Sequence, residues 1–173
     1  MNEGSFIRYV TGKLPKHVHS QSMTFGSRSF GGTPDRYFDG PFHDLWVEFK
    51  YQATMPRNGL VGGVNDKKRG CYSQLQYDWM VRRFHNGGNM LGIIALPNRT
   101  AVIQTEPAQW LNGSSIQGAI PWLDVALKIE QFCSGEISEK STILASRSTS
   151  GRRPDDQRRV RGRGVPKRST ARR

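Results

Sequence analysis

The chain is poor in cysteine: Cys71 and Cys133 are the only two among 173 residues, and neither sits in a C-x-x-C pair or a Cys/His cluster. This argues against a disulfide framework or a zinc site and fits a reducing, intracellular and cytoplasmic setting. Long apolar runs are missing too. No stretch of about 18 apolar residues occurs, and the N-terminal MNEGSFIRYV has no signal-peptide run, so neither membrane insertion nor secretion is expected. Acidic residues are scarce, 14 Asp and Glu against 26 Lys and Arg, for a formal net charge of +12. An excess of that size points to a polyanionic partner, nucleic acid first, because clustered cations gain from counterion release on meeting phosphates. There is no internal repeat.

The basicity is unevenly spread. Residues 146–173 hold eleven Lys and Arg against Asp155 and Asp156, net +9, which leaves +3 for residues 1–145. This tail, SRSTSGRRPDDQRRVRGRGVPKRSTARR, has almost no apolar residues beyond Val160 and Val165 and cannot bury enough surface to offset the entropy of ordering. It is expected to be disordered until bound, with Arg152, Arg153, Arg158, Arg159, Arg161 and Arg163 among its phosphate-binding cations. Residues 1–145 suffice for one domain with a single core.

Along that domain, Phe6, Ile7 and Val10 fall at helical spacing behind Asn2, a capping residue, and before Pro15. Residues 16–33, rich in Ser, His and Gly, read as one irregular strand around SMTF and a flexible turn. DRYF and LWVEFKYQ make a hairpin through DGPFHD. Residues 54–72 read as a mobile basic loop. In SQLQYDWMVRRFHNGG, Ser73 and Gln76 form a capping box ahead of a stripe of Tyr77, Met80, Val81 and Phe84, and Gly87 and Gly88 end the helix. MLGIIAL is a buried strand paired with TAVIQT. PWLDVALKIEQF is a closing helix that points either Leu123, Ala126 and Ile129 or Val125, Ile129 and Phe132 inward. The order α, β, β, β, α, β, β, α predicts an α/β fold, a mixed β-sheet flanked by helices.

The hairpin carries the chemistry. Closure through residues 39–44 sets Phe38 opposite Leu45, Tyr37 opposite Trp46, Arg36 opposite Val47 and Asp35 opposite Glu48. Alternation then gathers Phe38, Leu45, Val47 and Phe49 on a core face and leaves Asp35, Glu48 and Lys50 together on the other. Two opposed carboxylates repel unless a cation lies between them, and a divalent metal is the simplest such cation. Mg²⁺ or Mn²⁺ held by Asp35, Glu48 and the Phe49 carbonyl would keep positions open for water and a substrate phosphate. Lys50 would orient the attacking water and offset charge developing on the phosphate. These residue types fit phosphodiester hydrolysis.

With these residues in place, P34-D35 followed by E48-F49-K50 resembles the PD-(D/E)XK nuclease superfamily. The run G32-T33-P34-D35-R36, then W46-V47-E48-F49-K50, then S73-Q74-L75-Q76 is similar to its VRR-NUC branch, over roughly residues 1–105 and not over the tail. The resemblance implies a restriction-endonuclease-like core, divalent-metal-dependent cleavage of DNA and, in small stand-alone viral and bacterial relatives, Holliday junction resolution by a homodimer. It also implies Asp35 and Glu48 as metal ligands, Lys50 as the catalytic lysine, Gln76 as the helix glutamine near the site and Glu3 as a first-helix carboxylate. The Gly-rich loop from Met55 to Cys71 is longer than that pattern expects.

Bland readings stand beside these. Gln76 serves the capping box in any case, and Glu3 favours a helix dipole wherever it points. His17, His19, His43 and His85 fall on separate elements and read as solvated or packed side chains. Asp39 and Asp44 suit turns. Lys67, Lys68 and Arg69 in the loop, with Arg82 and Arg83 on the helix, are candidate phosphate clamps, though a charge run is usually a solvated face. Leu75 and Trp79 mark the edge of the core or a dimer contact. The alternative to a nuclease is a non-catalytic nucleic-acid-binding protein that uses the tail, which would have no need of carboxylates that repel phosphate.

Overall fold

The structure, a computed structural model, describes residues 2–23, 32–64 and 71–135. The tail, with Arg152, Arg153, Arg158, Arg159, Arg161 and Arg163, and the loop cations Lys67, Lys68 and Arg69 lie outside the described residues.

Helix α1 (Glu3–Thr11) begins where the Asn2 side chain accepts the Ser5 N–H at 2.9 Å, and it buries Phe6 and Val10. Strand β1 (His19–Ser22) pairs with β2 (Arg36–Asp39), which turns back into β3 (Asp44–Tyr51). The hairpin register is the one alternation requires: Arg36 faces Val47, Tyr37 faces Trp46 and Phe38 faces Leu45. A short strand β4 (Leu60–Val61) and helix α2 (Gln74–His85) then carry the chain across to β5 (Met90–Ala95), which lies parallel to β3 and sets Glu48 opposite Gly92. Strand β6 (Thr100–Gln104) returns antiparallel, followed by helix α3 (Pro107–Asn112), β7 (Ser114–Ser115), β8 (Ile120–Pro121) and helix α4 (Trp122–Cys133). The result is a mixed six-stranded sheet ordered β1-β2-β3-β5-β6-β8, with a two-stranded β4-β7 sheet beside it.

Two cores follow from the pleat. Leu45, Val47, Phe49, Leu91, Ile93 and Ala101 point to one face, where α1 and α4 cover them with Phe6, Trp122, Val125 and Ile129. Met90, Ile94 and Val102 point to the other, where they meet Met80 of α2, Trp110 of α3, Tyr72 and Val61. The strand β5 is buried along its whole length because both faces are occupied.

Several expectations change. In α4 the inward set is Trp122, Val125, Ala126, Ile129 and Cys133, with Phe132 packed against the same core, so of the two expected stripes the one through Val125, Ile129 and Phe132 faces inward and Leu123 is exposed. Of the α2 stripe only Met80 is fully buried, and Phe84 is partly exposed. The first strand ends at Ser22 instead of centring on SMTF. Residues 54–64 are not wholly irregular: β4 pairs with β7, and the Cys71 and Tyr72 amides both donate to the Gly63 carbonyl.

Candidate active site

Residues 46, 48 and 50 of β3 share the face covered by α2, and this decides the chemistry of Glu48. Alternation had set it opposite the core, yet its side chain is fully buried. The Lys50 ammonium lies 2.5 Å from Glu48 Oε1, and the Gln76 side-chain amide donates to the same oxygen. Glu48 Oε2 is buried with no hydrogen-bond partner. One carboxylate oxygen is thus doubly held and the other unspent, an arrangement whose cost is large unless something positive meets it.

The Gln76 amide has two tasks. Its carbonyl oxygen accepts the Ser73 N–H at 3.0 Å while Ser73 Oγ accepts the Gln76 N–H at 3.2 Å, completing the capping box, and its NH₂ reaches Glu48. One side chain thus completes the capping box and contacts Glu48. Asp35, just ahead of β2, accepts the Phe49 N–H at 2.9 Å through Oδ2, which ties the two sides of the hairpin at the site. The Phe49 ring packs edge-on against Phe6 and Phe38, so this residue offers its backbone to the site and its side chain to the core.

The electrostatics follow from this packing. Burial, then the nearby Asp35 carboxylate, push Glu48 up to about 7. Asp35 is raised by burial against the pull of Lys50, and Glu3 is raised by burial, with Lys50 opposing and Asp35 adding. For Lys50, burial pulls downward but Glu48, Asp35 and Glu3 more than offset it, so the ammonium is held above its ordinary range. Asp35, Glu48, Lys50 and Glu3 thus influence one another's charge, and Gln76 joins them through its hydrogen bond to Glu48. Cys71 borders it, its thiol pushed up to about 12 by burial.

Among the described residues no three His, Cys, Asp and Glu side chains gather closely enough to grip a metal ion unaided. The donors fit a divalent cation in another way. Two carboxylates, one with a buried unpartnered oxygen, plus the Phe49 carbonyl would make a partial shell of hard oxygens, the kind that leaves Mg²⁺ room for water and phosphate.

The other candidates separate. Arg82 is exposed on α2. Arg83 pairs with Asp44 at 3.3 Å and lies 5.4 Å from the centroid of the Trp46 ring, a contact within the fold that also gives Asp44 a partner. Trp79 meets Trp46 at 5.1 Å, as the edge of a core, while Leu75 is exposed. His17 lies 3.8 Å from Glu130, and His43 packs near Phe132. A cavity of about 450 Å³ lined by Tyr9, Arg99 and Trp122 contains none of the candidate site residues.

Two residues that shape the geometry, Gly92 and Tyr72, gave no signal in the sequence, and Gly32 entered only as part of the run before Asp35. Gly92 faces Glu48, and a β-carbon there would stand 2.2 Å from the Tyr72 hydroxyl. Tyr72 donates that hydroxyl to Gln104 Oε1 at 2.8 Å. Gly32, at φ +87°, brings the segment before Asp35 so near α2 that a β-carbon would lie 2.4 Å from the Leu75 carbonyl oxygen.

No family model and no curated protein matches this sequence. Among solved structures, the fold is similar to that of a Holliday junction resolvase, Hjc of Archaeoglobus fulgidus, an archaeal hyperthermophile. The match has 12% sequence identity and a TM-score of 0.45, and it covers 73% of this chain and 96% of that one.

Proposed function

We propose that this protein is a divalent-metal-dependent endonuclease that hydrolyses DNA phosphodiester bonds, selective for branched structure in the manner of a Holliday junction resolvase and acting as a homodimer. The observation that carries the reading is the Glu48 carboxylate: fully buried, fixed through Oε1 by Lys50 and Gln76, and left with Oε2 unpartnered beside Asp35. A buried carboxylate oxygen without a partner costs stability, and a cation bound there would offset that cost.

Asp35, Glu48 and the Phe49 carbonyl would hold Mg²⁺ or Mn²⁺. When bound, the ion would supply Lewis acidity to the phosphoryl oxygen and lower the pKa of water. Gln76 keeps Glu48 in one orientation. Lys50, partly exposed and held protonated by three carboxylates, orients the attacking water and offsets negative charge that grows on the phosphate. Arg82, the loop cations Lys67, Lys68 and Arg69, and the Arg-rich tail serve the DNA backbone and position it without reading bases.

The test is direct. Full-length protein is incubated with labelled four-way junction, flap and duplex DNA, with Mg²⁺, Mn²⁺ or EDTA, beside Glu48→Gln. Paired symmetric nicks on the junction, dependent on the cation and lost in the variant, are expected. Tight binding without cleavage of any substrate would instead favour a non-catalytic DNA-binding protein.

A further inference from the structure

Glu48 and Gln104 are both fully buried, and they share one face of the sheet. Gly92 sits between them: it pairs with Glu48 on β3 and with Gln104 on β6. Into the space left by its missing side chain comes the Tyr72 phenol, fully buried, with its hydroxyl donated to Gln104 Oε1. Gln104 has no slack to give. Its amide nitrogen reaches the Gln109 carbonyl at 3.1 Å, Ser114 Oγ at 3.0 Å and the Val61 carbonyl at 3.4 Å, so it is anchored to α3, β7 and β4 together.

Tyr72 is also the residue immediately before Ser73, the N-cap of α2. The cap fixes Gln76, and Gln76 fixes Glu48. A continuous set of contacts therefore runs from the sheet at Gln104, through Tyr72 and the first turn of α2, back to the sheet at Glu48. We infer that Tyr72, clamped by Gln104 in the gap above Gly92, is a positioning residue that sets the first turn of α2 so that Gln76 holds the Glu48 carboxylate in its working orientation. The inference deepens the nuclease reading and rests on it for the role of Glu48. The contact of Gln76 with Glu48 can be observed without turnover.

Tyr72→Phe removes the hydroxyl and keeps the ring. It is expected to lower kcat about 10-fold with KM for DNA little changed, the scale typical of groups that orient a metal-site ligand. In a Gln76→Ala background the same change should add nothing, because both substitutions cut one chain of contacts. Side-chain amide resonances of Gln76 in the full-length, metal-free protein should lose their exchange protection in Tyr72→Phe. The double variant Tyr72→Phe/Gly92→Ala sets a methyl group beside the lost hydroxyl, its carbon 3.1 Å from the position of ring atom Cζ so that the ring must give slightly, without restoring the bond, so kcat stays low. Should the single variant fold poorly, the Gln76 amide resonances of Gly92→Ala, which crowds the phenol itself, carry the test. Losses that multiply in the Gln76→Ala background, unchanged Gln76 resonances, or kcat restored by the methyl would each overturn the inference. Wild-type protein that cuts no DNA would refute the nuclease reading alone, since the amide resonances still decide the positioning role.

Discussion

The two faces of the sheet are built on different principles. Under α1 and α4 the buried residues are all apolar, with the Phe49 ring in contact with both Phe6 and Phe38 and Trp122 against Phe6. Under α2 and α3 the same strands bury Glu48 and Gln104 among Met80, Ile94, Val102 and Trp110. Dispersion and the hydrophobic effect hold the first face and need only shape and volume. The second depends on polar atoms meeting partners, as Gln104 does fully and Glu48 does through one oxygen only, and it is the face of the candidate site. Neighbouring residues of one strand, Phe49 and Glu48, belong to opposite regimes.

The sharpest way to separate the faces is to cut each at β3. Phe49→Ala should destabilise the protein by about 3–5 kcal/mol in denaturant titration, through loss of packing in the apolar core. An unchanged midpoint would show that this face is not the stabilising one. Lys50→Ala should leave secondary structure intact and lower kcat by about 10²- to 10³-fold, as loss of a group that meets developing charge does. Full activity in that variant would remove Lys50 from the site.

A smaller effect distinguishes the faces by pH. Glu48 titrates near 7 in the folded protein, well above its unfolded range, so the native state binds its proton more tightly than the unfolded one. Metal-free protein should then lose roughly 2–3 kcal/mol of stability as pH rises from about 5 to about 8. Asp35 and Glu3, also raised, add in the same direction at lower pH. Lys50, raised above its ordinary range, keeps its contribution throughout this window and loses it only at more alkaline pH. Thermal melts with EDTA should show the slope, Glu48→Gln should flatten it, and Mg²⁺ or Mn²⁺ should raise Tm more at pH 8 than at pH 6. A flat profile in the wild type would mean that Glu48 is solvated. Deleting residues 146–173 should touch neither face: cut positions stay fixed, and only the slope of log K against log salt shrinks, by about 0.9 for each of roughly 4 to 6 lost phosphate contacts. New cut positions would give the tail a part in the site.

Much of the first face was legible in the sequence, because period-two alternation in LWVEFK and the opposed RYF leave one register that groups Phe38, Leu45, Val47 and Phe49. The Ser73 and Gln76 pair was legible for the same local reason, a spacing of three at a helix start. The second face was not. Alternation says that Glu48 points away from the apolar core, but it cannot say that α2 lies over that side and buries it. Tyr72 and Gln104 are 32 residues apart, and neither sequence neighbourhood announces the other. Strands of two residues such as β4 and β7 are too short for any periodic pattern, so the Gly-rich stretch around β4 read as loop and β7 drew no reading.

The parallel pairing of β3 with β5 also has a kinetic side. Phe38 and Leu45 meet across seven residues, whereas Glu48 and Gly92 meet across forty-four, and closing the longer loop costs about 1–2 kcal/mol more in chain entropy. The hairpin can therefore zip early, setting the Asp35 and Glu48 positions side by side while both are still open to water. Gln76, Gly92 and the cover of α2 arrive only with the crossover. The candidate site is an assembly of late contacts on an early strand pair, so on refolding its side chains come together only after the longer loop has closed.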